Sequence, residues 1–109
     1  MEEIQKEICQ KYNSLYCPIQ VEDSVIIVGK NLTILPIFGC KIIDWDNAGK
    51  EVEYWYISVG ETDENSPEKI ISVQTLQEIL PKVVPYLGLA IGFNFIIDEE
   101  NGVDIWFED

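Results

Sequence analysis

Glu51-Val52-Glu53-Tyr54-Trp55-Tyr56-Ile57-Ser58-Val59 is the stretch on which the fold turns. In an extended chain Val52, Tyr54, Tyr56 and Ser58 fall on one side and Glu53, Trp55, Ile57 and Val59 on the other. β-Branched and aromatic residues dominate both sets, which is the composition of a strand. Just upstream, Asp46-Asn47-Ala48-Gly49 is turn chemistry and Cys40 to Trp45 is a second strand-like run. The two runs predict a β-hairpin.

Toward the N-terminus, Ile4, Ile8, Tyr12 and Leu15 recur at helical spacing, with Glu2, Glu3, Gln5, Lys6, Gln10 and Lys11 around the rest of the wheel. This predicts an amphipathic helix over residues 2–15, closed off by Pro18. Ser24 to Val28 reads as a strand covered on both faces, ended by the turn residues Gly29-Lys30-Asn31. Leu32 to Phe38 contains Pro36 and predicts an edge strand or one that breaks midway, leaving edge-to-edge dimerisation open.

Toward the C-terminus, Gly60 to Lys69 reads as an acidic surface loop, and Ile70 and Ile71 as a brief strand. Ser72 is placed to cap a helix starting at Val73, with Val73, Leu76, Ile79 and Leu80 as its apolar stripe. Pro81 disrupts that helix or opens a second short turn, which Pro85 and Gly88 end. Phe93 to Asp98 and Val103 to Phe107, joined by Glu99-Glu100-Asn101-Gly102, predict a second hairpin. The expected class is α+β, with two helices packed on a mainly antiparallel sheet of about five or six strands. One domain over residues 1–109 is the simplest account.

Charge narrows the chemistry. The chain has 20 Asp and Glu against 7 Lys, no Arg and no His, for a net charge of −13. Without His there is no imidazole base, no Ser-His or Cys-His pairing and no imidazole metal ligand. Without Arg there is no planar fork to grip a phosphate or carboxylate. So few cations on so acidic a chain argue against binding nucleic acid or an anionic membrane, because both require a basic patch. The acids are unevenly spread: residues 1–55 hold nine against five lysines, and residues 56–109 hold eleven against two.

Cys9, Cys17 and Cys40 show no Cys-x-x-Cys spacing and predict reduced thiols in a cytoplasmic protein. The acidic start Met1-Glu2-Glu3-Ile4 predicts no secretory signal, and no apolar run approaches the length of a membrane span. The acids of the last hairpin fail the spacing of a helix-loop-helix calcium site. The expectation is therefore a protein that is not an enzyme and uses no cofactor and no metal.

Two groups of residues remain as candidates for contact with a partner. One is acidic: Glu61, Asp63 and Glu64 in the loop, and Asp98, Glu99, Glu100 and Asp104 in the C-terminal hairpin. The other is aromatic: Trp55 or Trp106 as a partly exposed anchor ringed by acids, as in protein interfaces. Against the anchor stands ordinary core packing, since neighbouring strand residues point to opposite faces and a helix can cover either one.

Trp55-Tyr56-Ile57-Ser58-Val59-Gly60-Glu61, then the acidic Asp63-Glu64-Asn65-Ser66-Pro67-Glu68, then Leu76, Pro81, Leu87, Gly92 and Phe95, resembles the bacterial immunity-protein family Imm33. The shared pattern is a strand Trp, a Gly-containing acidic segment, a Leu-rich helix, a Pro, and a Leu followed by Gly and Phe, over about residues 55–95. The resemblance implies a small cytoplasmic antitoxin that binds one toxin and blocks it without catalysis. The expected partner is thus a protein with a basic surface, met by this chain as a monomer or homodimer. The alternative is a nucleic-acid mimic that inhibits a DNA- or RNA-binding protein.

Overall fold

Asp46 builds the hairpin turn on which the sheet is centred. Its N–H donates to the Lys50 carbonyl at 2.9 Å, and its carboxylate accepts from the N–H groups of Ala48 and Lys50, each at 2.9 Å. This locks β2 (Ile37–Trp45) against β3 (Glu51–Val59) in antiparallel register from Trp45 opposite Glu51 to Ile37 opposite Val59. The computed structural model describes residues 2–32, 34–98 and 102–108.

Around this pair assemble β1 (Ser24–Val28), β4 (Glu68–Ser72), β5 (Phe93–Asp98) and β6 (Gly102–Phe107). The strand order is β4-β1-β3-β2-β5-β6, and only the β1–β3 pair is parallel. The helices are α1 (Glu2–Lys11), α2 (Val73–Ile79) and a 3-10 helix (Pro81–Tyr86). The α+β class and the mainly antiparallel six-stranded sheet agree with the sequence reading. Ser72 caps α2 as expected, its hydroxyl accepting from the Thr75 N–H at 3.2 Å.

Three local expectations are corrected or completed. No strand is formed by Leu32 or by residues 34–36; β2 starts at Ile37, runs unbroken through Gly39 and lies between β3 and β5, so Ile37 and Phe38 are not at an edge, and the sheet edges are β4 and β6. β1 is covered fully on one face and in part on the other: Val25 and Ile27 point into the core, while on the opposite side Ile26 lies half-buried and Val28 is buried, so the expected two-sided covering holds only in part. The first helix ends at Lys11, and its buried positions are Gln5 and Cys9, with Ile4 and Leu15 exposed.

The reason for that rotation lies in the irregular chain from Val84 to Ala90. Leu87, Gly88 and Leu89 are buried there, and their backbone polar groups need partners that no regular element supplies. The Cys17 N–H donates to the Gly88 carbonyl at 2.8 Å, and side chains provide most of the rest. Gln5 Nε2 donates to the Val84 carbonyl at 2.9 Å, Cys9 Sγ to Gly88 at 3.2 Å, Trp55 Nε1 to Leu87 at 2.9 Å and Lys41 Nζ to Leu89 at 2.9 Å. The Ala90 N–H in turn donates to Ser14 Oγ at 2.9 Å. Gly88 lets α1 come this close, because a Cβ there would meet Tyr16 and the Cβ of Gln5 at about 3 Å.

All the helices lie over one face of the sheet. The core joins Val25, Ile27, Ile37, Trp55, Ile57, Val59, Phe95 and Ile97 to Leu76, Leu80, Val83, Leu87 and Leu89. By the strand register every sheet residue in that cluster points the same way. No helix among the described residues is long and apolar enough to cross a membrane.

Candidate partner-docking face

The period-two alternation that sends Trp55, Ile57 and Val59 into the core sends Tyr54, Tyr56 and Ser58 to the opposite face, where no helix lies. The register arranges this open face in rows across all six strands. One row reads Ile70, Ile26, Tyr56, Cys40, Asn94, Trp106, and the next reads Glu68, Val28, Ser58, Phe38, Ile96, Asp104. Beyond the first row lie Tyr54 paired with Ile42, and then Asp44 paired with Val52.

Aromatic and aliphatic side chains therefore run across the face from Ile70 on β4 to Trp106 on β6, with Cys40, Ser58 and Asn94 among them, and acids stand at both edges and both ends. Phe38 and Trp106 pack with ring centroids 6.1 Å apart. Ile70, at 73% exposure, stands almost fully in solvent. Glu68 sits on the β4 edge, Asp104 on the β6 edge, and Asp98 and Asp44 at opposite ends of the strands. No lysine shares these strand positions: Lys41 and Lys69 lie on the helix-covered face, and the other lysines are in helices and turns.

Each aromatic polar atom is engaged by an acid. The Tyr54 hydroxyl donates to Asp44 Oδ2 at 3.0 Å, and Trp106 Nε1 donates to Glu108 Oε1 at 3.0 Å. Burial followed by the charge of Glu68 pushes the Tyr56 phenol up, and burial followed by the Asp44 bond does the same for Tyr54. Cys40, between Tyr56 and Asn94, is raised by burial and by the charge of Glu108. Asp44 accepts a second bond, at Oδ1, from the Trp45 N–H at 2.8 Å.

The candidate residues divide accordingly. Trp106, Asp98 and Asp104 share the open face. Trp55 does not: it is 0% exposed, packs 5.5 Å from the Phe95 ring centroid, and spends its N–H on the Leu87 carbonyl. The anchor reading of Trp55 is thus corrected to core packing, because Ile57 and Val59 on the same side draw that face under the helices. Glu61, Asp63 and Glu64 lie in the loop at the end of the sheet, beside the strand ends that carry Glu68 and Asp98. Glu99 and Glu100 lie outside the described residues.

Asp63 is already committed within its loop. It accepts from the Asn65 N–H at 2.8 Å and lies 3.6 Å from Lys30 Nζ. That backbone bond and the Lys30 charge hold its carboxyl below the usual carboxylate range. Glu61 and Glu64 are exposed. Among the described residues no group of three or more acids and thiols is gathered as a metal site would require.

A family model described as the Imm33-like domain matches residues 4–108, nearly the whole chain. The chain belongs to the Imm33-like family. The match takes in α1 and the first three strands as well as the segment 55–95 that carries the sequence resemblance. Searches among curated proteins and among solved structures give no significant match. Membership of the Imm33-like family is consistent with toxin immunity, and so with a protein partner. In this Imm33-like chain the sequence singled out Trp106, Asp98 and Asp104 and left Tyr54 and Tyr56 open on either face, but gave no sign that Phe38, Ile70 and Asp44 share the face. The signal for the tyrosines was the alternation in β3, which tied Tyr54 and Tyr56 to one face before it was known which face would be covered.

Proposed function

We propose that this Imm33-like protein is an immunity protein that neutralises a protein toxin by occupying a basic surface of it, without catalysis of its own. One observation carries the reading: a helix-free sheet face that presents Phe38, Tyr54, Tyr56 and Trp106, is bordered by Asp44, Glu68, Asp98 and Asp104, and carries no lysine. Interfaces concentrate aromatic rings at a centre that loses its water and polar groups at a rim that stays wet. A face that no helix covers, with Ile70 exposed and Phe38, Tyr54, Tyr56 and Trp106 half-buried, fits the same purpose. The single sign of charge around it steers a cationic partner and repels other acidic proteins. Glu61 and Glu64, exposed in the loop after β3, extend the acidic field at one end.

A nucleic-acid mimic is the weaker reading. Mimicry needs carboxylates laid out at phosphate-like spacing, whereas these acids border a face of aromatic and aliphatic side chains suited to a protein.

The test is to express the neighbouring reading frames and measure binding to any that encodes a toxin-class protein, at low and high salt. Affinity is expected to fall with salt and to be lost when Asp98 and Asp104 are changed together to Lys. Failure to bind overturns the immunity reading, and binding that ignores both salt and charge reversal overturns its electrostatic part. Inhibition of several unrelated nucleic-acid enzymes in competition with substrate would favour the mimic.

A further inference from the structure

One place on the open face combines a fixed charge with apolar walls. Between β4, β1 and the end of β3 lies a shallow cup of about 360 Å³, lined by Ser24, Val25, Ile26, Asp44, Tyr54 and Ile70. That volume is near the lower limit of small-molecule sites and of a size for one long side chain. We infer that this cup is an anchor site for a lysine or arginine side chain of the bound partner, with Asp44 receiving the cationic head and Ile26, Ile70 and Tyr54 covering the stem. The inference deepens the immunity reading and rests on it for the source of the side chain.

The carboxylate is aimed before any partner arrives. The Trp45 N–H at 2.8 Å and the Tyr54 hydroxyl at 3.0 Å hold its two oxygens, and both donors are neutral, so its charge stays uncompensated. A carboxylate has about four acceptor sites, so two remain for charge-assisted bonds. Among the described residues no lysine forms an ion pair with Asp44; the recorded pairs join Lys6 to Glu2 and Lys30 to Asp63.

The walls select for length and sign together. Exposed Ile70 and half-buried Ile26 offer apolar surface of the kind that Lys and Arg stems cover while their heads stay polar. The Tyr54 ring adds an attractive face for a cation. An anionic side chain would meet the Asp44 charge, and a purely apolar one would strip water from it without supplying a partner.

The site can be tested without the toxin. Two-dimensional NMR of the full chain would be titrated with n-butylguanidinium, n-butylammonium and neutral n-butanol at matched ionic strength. The cations are expected to give saturable shifts centred on Ile26, Asp44, Tyr54 and Ile70, and butanol much smaller ones. Asp44→Asn, which keeps an acceptor for the Trp45 N–H, is expected to weaken cation binding about fivefold, the loss of one exposed charge-assisted contact. Tyr54→Phe, which frees the carboxylate, should weaken it less, and Glu7→Gln, exposed on α1 away from this face, should leave it unchanged. The stronger of the two cations identifies the preferred head group. Equal binding by butanol, indifference to Asp44→Asn, or shifts centred on Asp98 and Asp104 would overturn the anchor. A chain that binds the cations here but not the toxin would refute the immunity reading alone, and the converse would refute the anchor alone.

Discussion

The ring of Phe95 lies over the backbone of Gly39, its partner across β2 and β5. A Cβ at position 39 would overlap the ring edge, and the ring cannot step aside, because it is fully buried against Trp55 and Tyr86. Gly39→Ala is therefore expected to destabilise the fold by about 1–3 kcal/mol, as overpacking of a filled core does. Urea unfolding followed by tryptophan fluorescence checks it; an unchanged midpoint would mean that the core yields at no cost.

Gly39 also illustrates what the sequence could and could not say. Read alone, a glycine between two apolar runs is a break, and only the ring that fills its space makes it the middle of a strand. The hairpin 40–59 and the Ser72 cap were legible because their signals are local: turn residues, alternation and a hydroxyl at the right offset. The rotation of α1 was not. Gln5 and Cys9 are buried where they donate to the carbonyls of Val84 and Gly88, residues almost eighty positions away.

The candidate site was legible in the same measure. Acids and aromatics could be named from composition, and Trp106, Asp98 and Asp104 do lie together. Which side of β3 would be covered depended on the helices, so Trp55 and Tyr56 could not be told apart as core and surface until the layers were assembled.

That distinction gives an experimental contrast between two tryptophans. Trp55→Phe leaves the buried Leu87 carbonyl without its donor and is expected to cost about 1–3 kcal/mol. Trp106→Phe removes a bond to a solvent-exposed glutamate and is expected to cost well under about 1 kcal/mol while weakening partner binding. Chemical denaturation and calorimetric binding on both variants measure the two effects; the reverse ranking would place the anchor on the wrong face.

The Tyr56 phenol is expected to titrate above its ordinary value of 10.0, first because of burial and then because of Glu68. Raising a folded-state pKa stabilises the protein below the unfolded value, and that contribution is lost as pH rises through the folded value. Glu68→Gln should bring the titration part of the way back, leaving the burial component. Ultraviolet titration of phenolate, compared with Tyr56→Phe, reads the shift; a titration that Glu68→Gln leaves unmoved would mean that Glu68 does not lie against the phenol.

Side-chain footprinting by hydroxyl radicals, with and without a toxin-class protein expressed from the neighbouring reading frames, tests the docking face most directly. Phe38, Tyr54, Tyr56, Ile70 and Trp106 are expected to lose reactivity in the complex, while Leu15, Trp45 and Ile79, exposed away from that face, keep theirs. Protection of Leu15, Trp45 and Ile79 with the open face unchanged would contradict it.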